Sequence, residues 1–352
     1  MVELVNMVNS LAQTARENVS TIVEHVFAVT KAEKSLIVFD RKCELAEILA
    51  QAYQTALPDA TVVEFAENQA PEILAIIEGL KAGDFVSLIQ SSSFRLNEFR
   101  LRVELFKKGL KVVEHPHLDR MKTEADIATY LDSLAYDPAY YRTVGRGLKT
   151  AIDSAQKIVV ESDGSMLEYV GPFEDAKLNI GDYTGMKNAG GQFPIGEVFT
   201  EPKDIANVNG TAKIFAFGDN QFRLNIPKEP IELFVKGGRI DHVENSTPEF
   251  DAVLEEIREG DEAVVRELGL GMNKAYTRTR TVPDVGSYER MCGVHLSLGG
   301  KHAIYAKEGF SRKHSRFHVD IFVKVDRVLI DEQVVFEAGK YVIDTDRGNG
   351  TD

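Results

Sequence analysis

Residues 316–323 read Arg316-Phe317-His318-Val319-Asp320-Ile321-Phe322-Val323. Apolar residues alternate through this stretch, which is the period of a half-buried β-strand. Because side chains two residues apart leave the same face of a strand, His318 and Asp320 are expected to project side by side. A neutral imidazole beside a carboxylate makes half of a divalent-metal site. The alternative interpretation is a His–Asp hydrogen bond on a wet sheet face, and the rest of the chain has to decide between the two.

The composition is that of an ordinary globular protein, with 43% hydrophobic and 27% charged residues. At 352 residues the chain is long for one hydrophobic core, which favours two domains. A net charge of −14 argues against nucleic-acid partners and anionic membranes. Two cysteines far apart, Cys43 and Cys292, indicate a reducing compartment, and no apolar run has the length of a membrane span. We therefore expect a cytoplasmic enzyme or binding protein.

The first half of the sequence alternates short apolar strands with amphipathic helices. The predicted strands are residues 35–39, 61–65, 84–89 and 111–114, and helices are predicted at residues 44–56, 71–80 and 97–108. This alternation predicts a doubly wound, mostly parallel sheet in an α/β, Rossmann-like domain. No glycine-rich phosphate-binding motif follows any strand, so a nucleotide site is not expected. His115 and His117, on either side of Pro116, are predicted to lie in a polar loop.

The pattern changes after Ser154, where we place the boundary between domain 1–154 and domain 155–352. Short strands separated by turn signals follow, among them the pairs Asp163-Gly164 and Gly237-Gly238. Helices are predicted at residues 249–258 and 261–267. The second domain is therefore expected to be α+β with a largely antiparallel sheet.

Three more segments of this domain contain metal-ligand residue types. Glu197 stands between apolar pairs, and a carboxylate buried there would need a partner. Glu267 is predicted at a helix C-terminus, an unfavourable place for a carboxylate. His295 lies in an apolar strand, where a satisfied core histidine is the usual explanation. With His318 and Asp320, these residues supply three carboxylates and two imidazoles, which suits two divalent ions with a shared carboxylate and a bridging water.

These segments resemble the thermophilic-type metalloaminopeptidases of peptidase family M29. The matching motifs are Pro-Ile-Gly-Glu-Val-Phe-Thr-Glu-Pro at residues 194–202, Glu-Leu-Gly-Leu-Gly-Met-Asn at 267–273, His-Leu-Ser-Leu-Gly at 295–299 and His-Val-Asp-Ile at 318–321. The resemblance implies an aminopeptidase that cleaves N-terminal residues from peptides or related small amides. It also implies a homodimer and two divalent ions (zinc, cobalt or manganese). The implied ligands are Glu197, Glu267, His295, His318 and Asp320, with Glu197 or Glu267 also bridging or acting as general base.

One family feature is missing from the motifs. The family has a tyrosine seven residues after the histidine of the third motif, and that position here is His302, with Tyr305 three residues further on. Either His302 or Tyr305 could donate a hydrogen bond to the oxyanion of a reacting amide. More distantly, the chain is similar to 2,5-dihydroxypyridine 5,6-dioxygenase, a ring-cleaving iron(II) enzyme with a two-histidine, one-carboxylate triad. That oxygenase and a non-catalytic binding protein of the same fold are the alternatives to a hydrolase.

Overall fold

The structure, a computed structural model, describes residues 2–65, 70–96, 99–186, 188–260, 262–301, 303–305 and 317–343. The chain divides into two compact units, of which the first contains residues 1–138 and 181–195 and the second residues 139–180 and 196–352. Residues 181–195 belong to the first unit because they supply a strand of its sheet. Whether the chain folds as the two continuous domains 1–154 and 155–352 stays a prediction.

The first unit is built on a parallel sheet of five strands. Elements are numbered here in chain order, and these strands are β1 (Ser35–Phe39), β2 (Thr61–Glu64), β3 (Phe85–Ile89), β6 (Lys111–His115) and β10 (Ala189–Gln192). Their order across the sheet is β10-β6-β3-β1-β2, and every pair is parallel. All side chains of β3 are buried, as expected for a parallel strand with both faces covered.

Among the residues that the structure describes, five α-helices accompany this sheet: α1 (Val2–Thr21), α2 (Glu44–Ala56), α3 (Ala70–Glu78), α4 (Leu101–Lys107) and α5 (Glu124–Ser133). A π-helical turn, Ile22–Val26, continues α1. Thr123 caps α5 in a capping box with Asp126, which explains where that helix begins. The predicted helix 97–108 was too long, because β4 (Arg95–Leu96) and β5 (Phe99–Arg100) pair with each other before α4 begins. No described helix is both long and apolar enough to cross a membrane.

The second unit is built on an antiparallel sheet. Among the described residues it has 14 strands, namely β7 (Lys157–Ser162), β8 (Ser165–Val170), β9 (Lys177–Asn179), β11 (Glu197–Thr200), β12 (Val208–Gly218), β13 (Leu224–Asn225), β14 (Ile231–Lys236), β15 (Arg239–Glu244), β16 (Val265–Gly271), β17 (Gly293–Gly299), β18 (His318–Val323), β19 (Arg327–Ile330), β20 (Gln333–Glu337) and β21 (Lys340–Tyr341). The main order is β21-β20-β19-β7-β8-β12-β18-β17-β16-β11-β9, and β13, β14 and β15 extend from β12.

The described part of this unit also contains the α-helices α6 (Pro138–Ser154), α7 (Pro248–Gly260) and α8 (Val285–Tyr288). On α7, Phe250 packs edge-on against Phe217 of β12, with ring centroids 5.0 Å apart. On α8, Tyr288 packs against Phe322 of β18 at 4.8 Å. The predicted fold class, a parallel α/β part followed by an antiparallel α+β part, is confirmed.

Strand β18, which contains His318 and Asp320, lies inside this sheet between β12 and β17. The prediction of a half-buried strand was wrong, because all five residues from Val319 to Val323 are buried and only His318 is exposed. A central strand has neighbours on both sides and packing on both faces, so its polar side chains are enclosed too. Asp320 is therefore a buried carboxylate rather than part of a wet surface.

Candidate metal centre

Strands β17 and β18 place the predicted histidines and aspartate on one face of the sheet. In their antiparallel register His295 lies opposite Phe322, and the two rings have centroids 6.1 Å apart. Asp320 and His318 precede Phe322 by two and four residues, so their side chains leave the same face as His295. The alternation predicted for residues 316–323 thus has the correct phase, although its solvent exposure was not correctly predicted.

Strands β16 and β11 bring the two glutamates to that same face. Gly269 of β16 lies opposite His295, and Glu267 precedes Gly269 by two residues. Glu197 of β11 lies opposite Gly271, which is again two residues from Gly269. Four neighbouring strands in the order β18-β17-β16-β11 therefore carry all five predicted ligands on one face.

The prediction that Glu267 ends a helix was wrong, because Glu267 lies inside β16. The β16–β17 register shifts between Val265 and Leu268, so Glu267 lies at a bulge, a device that often re-aims a side chain near a functional site. Its backbone N–H donates a hydrogen bond to Ser297 Oγ at 3.1 Å rather than to a regular ladder carbonyl. In the sequence, the glycines after Glu267 favoured the end of a helix. In the structure Gly269 and Gly271 lie in β16 and leave space for neighbouring atoms.

Gly269 leaves room for the imidazole of His295. A Cβ atom at residue 269 would lie 2.0 Å from His295 Cε1 and 2.1 Å from Nε2, far inside van der Waals contact. The ring therefore lies directly against the backbone of β16. Any larger residue at position 269 would displace the imidazole from the carboxylates on either side.

Glu197, Glu267 and His295 form the centre of the site. His295 Nε2 is 3.1 Å from Glu197 Oε1 and 3.4 Å from Glu267 Oε1, and each of the three side chains is at most 6% exposed. One ligand atom from each residue lies within 4.8 Å of the others. His318 and Asp320 stand outside this group as a second pair, with His318 Nε2 3.3 Å from Asp320 Oδ1. The His318 side chain is 34% exposed, so this pair is the more open part of the site.

The charges of this cluster change how its members titrate. Burial alone would lower the pKa of His295, but the carboxylates of Glu197 and Glu267 raise it to about 10. Partial desolvation by the surrounding protein would likewise lower the pKa of the His318 ring, yet the carboxylate of Asp320 raises it to about 9. The pKa of Glu197 and that of Asp320 are both lowered, because nearby positive charge outweighs the burial that would raise them.

Arg290 also belongs to this site, although no sequence pattern predicted it. Its guanidinium is buried, and Nη1 lies 3.2 Å from Glu197 Oε2. Its positive charge is the largest influence lowering the pKa of Glu197, against the effect of burial. The one available signal was a charged residue just before the apolar strand of His295, and surface arginines are common in such positions.

Of the two residues predicted to donate a hydrogen bond to the oxyanion, Tyr305 and His302, the structure describes only Tyr305. Tyr305 lies in a short 3₁₀-helix (Ala303–Tyr305), and its hydroxyl is 3.1 Å from the carbonyl oxygen of Asp175 and 3.2 Å from that of Phe199. Since a phenol has one hydrogen, it donates to one of these carbonyls at a time. Burial, followed by the charge of Glu267, raises the pKa of Tyr305. His302 lies outside the described residues.

The residues of this face fit a divalent cation. Glu267 Oε2, Asp320 Oδ1 and both ring nitrogens of His295 are buried in the described structure and make no hydrogen bond there. Buried polar atoms almost always have hydrogen-bond partners, so this concentration in one place requires an explanation. Carboxylate oxygens and imidazole nitrogens are the donors that zinc, cobalt and manganese accept, and an ion would satisfy these atoms.

Comparisons with known proteins agree with the fold. No protein-family model matches the chain, and no curated protein sequence matches it. Among solved structures, wild-type AmpT from Thermus thermophilus is similar, with a TM-score of 0.58 over 94% of this chain and 99% of the AmpT chain. Sequence identity is 14%, so the similarity concerns the fold. AmpT is an M29 aminopeptidase, and the resemblance inferred from the four motifs is therefore confirmed at the level of the fold.

Proposed function

We propose that the chain is a metal-dependent hydrolase, most closely an aminopeptidase that removes N-terminal residues from peptides or acts on related small amides. The observation that supports this most strongly is the buried group of Glu197, Glu267 and His295, whose ligand atoms lie close together. Within the described residues, Glu267 Oε2 and both ring nitrogens of His295 make no hydrogen bond. His318 and Asp320 on the neighbouring strand add two further donors on the same face. The fold shared with an M29 aminopeptidase gives the proposal a second, weaker support.

The proposed ligands are those five residues, for two divalent ions among zinc, cobalt and manganese. Bound divalent ions lower the pKa of a water ligand towards about 7 and polarise the carbonyl of an amide. Glu267 has one oxygen near His295, and its second oxygen, Oε2, makes no hydrogen bond to any residue that the structure describes. This oxygen can therefore accept a proton from water. Glu197 is the alternative base, although Arg290 holds it as a carboxylate more firmly.

The second proposed task, stabilising the oxyanion that forms on the amide, falls to His302 or Tyr305. Tyr305 would have to leave the backbone carbonyl of Asp175 or Phe199 to reach a substrate. That exchange would cost about one hydrogen bond, about 1 kcal/mol, which substrate binding can offset. For an aminopeptidase, the carboxylates of the site would also attract the free amine of the substrate.

One observation favours a different reaction. His295, His318 and Asp320 lie on the adjacent strands β17 and β18 and together make a two-histidine, one-carboxylate set. That set is typical of iron(II) oxygenases, so ring cleavage of a dihydroxypyridine is the second candidate. The two buried glutamates count against it, since together with Asp320 they triple the carboxylate charge that a single iron(II) would have to balance.

Metal analysis combined with turnover separates these candidates. The protein is purified without chelator, its metals are quantified, and aminoacyl-p-nitroanilides are offered with zinc, cobalt or manganese. Amide cleavage that stops on chelation and returns with one of these metals supports the hydrolase. One equivalent of iron, with oxygen uptake on 2,5-dihydroxypyridine and no amide cleavage, would replace it with the oxygenase. Neither activity in a metal-loaded protein would leave a binding protein of the same fold.

A further inference from the structure

Arg290 is a buried cation inside a cluster that we propose to bind cations. Its side chain is 8% exposed, and Nη1 lies 3.2 Å from Glu197 Oε2. The same Nη1 atom also forms an ion pair with Glu289, whose side chain is 23% exposed. Nε and Nη1 are buried, and within the described structure they make no aligned hydrogen bond. The guanidinium therefore acts on Glu197 mainly through its charge.

The backbone holds Arg290 in this position. The carbonyl oxygen of Arg290 accepts a hydrogen bond from the N–H of Asn273 at 2.9 Å. A Cβ atom on Gly271 would lie 2.0 Å from the carbonyl oxygen of Met291 and 2.9 Å from the carbonyl carbon of Arg290. Because Gly271 has no side chain, the backbone of residues 290 and 291 can pack against the end of β16. Gly271 is also the residue of β16 that lies opposite Glu197, so this packing brings Arg290 close to Glu197.

The two oxygens of Glu197 consequently face different neighbours. Oε1 lies 3.1 Å from His295 Nε2, inside the Glu197–Glu267–His295 group, and Oε2 lies against Arg290. A carboxylate that bridges two ions gives one oxygen to each of them. In this chain the second oxygen already has a positive partner, whose charge would also repel a second ion placed there.

We propose that Arg290 is a positioning residue that makes metal loading unequal. The first ion binds tightly between Glu197 Oε1, Glu267 and His295, and the second binds more weakly at His318 and Asp320 because Arg290 competes for Glu197 Oε2. This inference rests on the proposed function for the identity of the ligands, and it goes beyond it by ranking the two positions. It predicts stepwise rather than paired loading.

Zinc titration of the metal-free protein against a competing chelator tests the ranking. We expect one tight equivalent and a second at least about tenfold weaker, which is the size of effect that groups outside the ligand set exert on metal affinity. Arg290→Met removes the charge and should bring the two affinities at least about tenfold closer, whereas Arg290→Lys keeps the charge and should keep most of the gap. Two equal affinities in the unmodified protein, or an unchanged gap in a folded Arg290→Met variant, would overturn the proposal.

A second variant covers the case in which Arg290→Met does not fold. Glu289→Gln removes the charge of the partly buried second partner of Arg290, so the guanidinium acts on Glu197 alone and the gap between the two affinities should widen. A gap that stays the same or narrows in Glu289→Gln would contradict the role of Arg290.

Two unequal zinc equivalents in a protein without amidase activity would uphold this inference while refuting the proposed function. A protein that binds no zinc would refute both.

Discussion

Each unit of the molecule contains a buried histidine on a strand, and the two histidines have opposite surroundings. In the first unit His115 is fully enclosed at the end of β6, with Nε2 2.9 Å from the hydroxyl of Tyr53 and Nδ1 3.0 Å from that of Tyr130. In the second unit His295 is equally enclosed but faces Glu197 and Glu267. Burial lowers the pKa of His115 to about 3, whereas the two carboxylates raise the pKa of His295 to about 10 against the effect of burial.

Because both histidines are buried, it is the neighbouring groups that distinguish the structural histidine from the candidate metal ligand. The hydroxyl of Tyr130 can donate to the carbonyl of Phe193, so its oxygen accepts from His115 Nδ1–H and leaves Nε2 to accept from Tyr53. A neutral imidazole satisfies that network completely. A neutral His295 cannot be satisfied in this way by Glu197 and Glu267, because ionised carboxylates only accept hydrogen bonds. A proton on the ring or a bound cation would balance the negative charge of the two glutamates.

The strongest test of this contrast is Glu267→Gln. The amide keeps the size of the side chain but removes a negative ligand from the His295 cluster, so zinc affinity should fall by more than about 100-fold, beyond the effect of losing an outer partner. Titration of the metal-free protein with zinc in the presence of a competing chelator measures this change.

A matched control comes from the first unit. Glu114 is a partly buried carboxylate that accepts a hydrogen bond from Gln90 Nε2 at 2.9 Å and pairs with Arg102. Because its charge already has protein partners, Glu114→Gln should leave zinc affinity unchanged. Equal losses in Glu267→Gln and Glu114→Gln would mean that zinc binds elsewhere, and the contrast between the two units would lose its functional meaning.

The next test acts on His295 without changing any ligand. Gly269→Ala places a Cβ atom where the imidazole now lies, 2.0 Å from Cε1, so the ring must move away from Glu197 and Glu267. We expect zinc affinity to fall about 10- to 100-fold and the free energy of unfolding to fall by about 1–3 kcal/mol through overpacking. Gly191→Ala, at a strand glycine of the first unit with open space around it, should change neither quantity. Unchanged zinc affinity in Gly269→Ala would show that the ring position does not matter for binding.

The pH dependence of metal binding provides a smaller and graded effect. The raised pKa values, about 10 for His295 and about 9 for His318, mean that both rings hold a proton at neutral pH in the absence of metal. An ion has to displace that proton, so affinity should rise with pH, about tenfold per pH unit for each ligating imidazole. If both histidines had the usual pKa of about 6.5, metal affinity would stop rising above about pH 7. Cobalt titrations between pH 6 and 8 distinguish a continued rise, which we expect, from a plateau.

The features of the fold and of the site that could be predicted from the sequence are those encoded by short-range patterns. The strands of His295, His318 and Asp320 were predicted because alternation and β-branched residues are short-range patterns, and their phase placed the side chains correctly. Glu267 was placed on the wrong element, because Gly269 and Gly271 look like helix punctuation in the sequence. Their purpose, space for His295 and for the backbone at Met291, depends on strands that are remote in the chain.

The same reason explains the residues whose roles were missed. His115 was predicted in a polar loop since Pro116 and His117 follow it, and the phenols that enclose it come from α2 and α5. Arg290 is brought to Glu197 by the pairing of β11 with β16, which no local pattern encodes. Long-range pairing therefore decides which polar residues meet, and the sequence shows mainly which residues are available.

The last test concerns the structural histidine and should leave the metal site unaffected. His115→Leu removes both nitrogens and leaves the buried hydroxyl of Tyr53 without its partner, so the free energy of unfolding should fall by about 1–3 kcal/mol while zinc affinity stays the same. Adding Tyr53→Phe removes the stranded hydroxyl and should restore part of that loss, because an unpaired buried donor costs more than an absent one. Urea unfolding of the two single variants and the double variant measures the coupling. A double variant that is less stable than His115→Leu, or a His115→Leu protein with weakened zinc binding, would contradict the assignment of His115 to structure and of His295 to the metal.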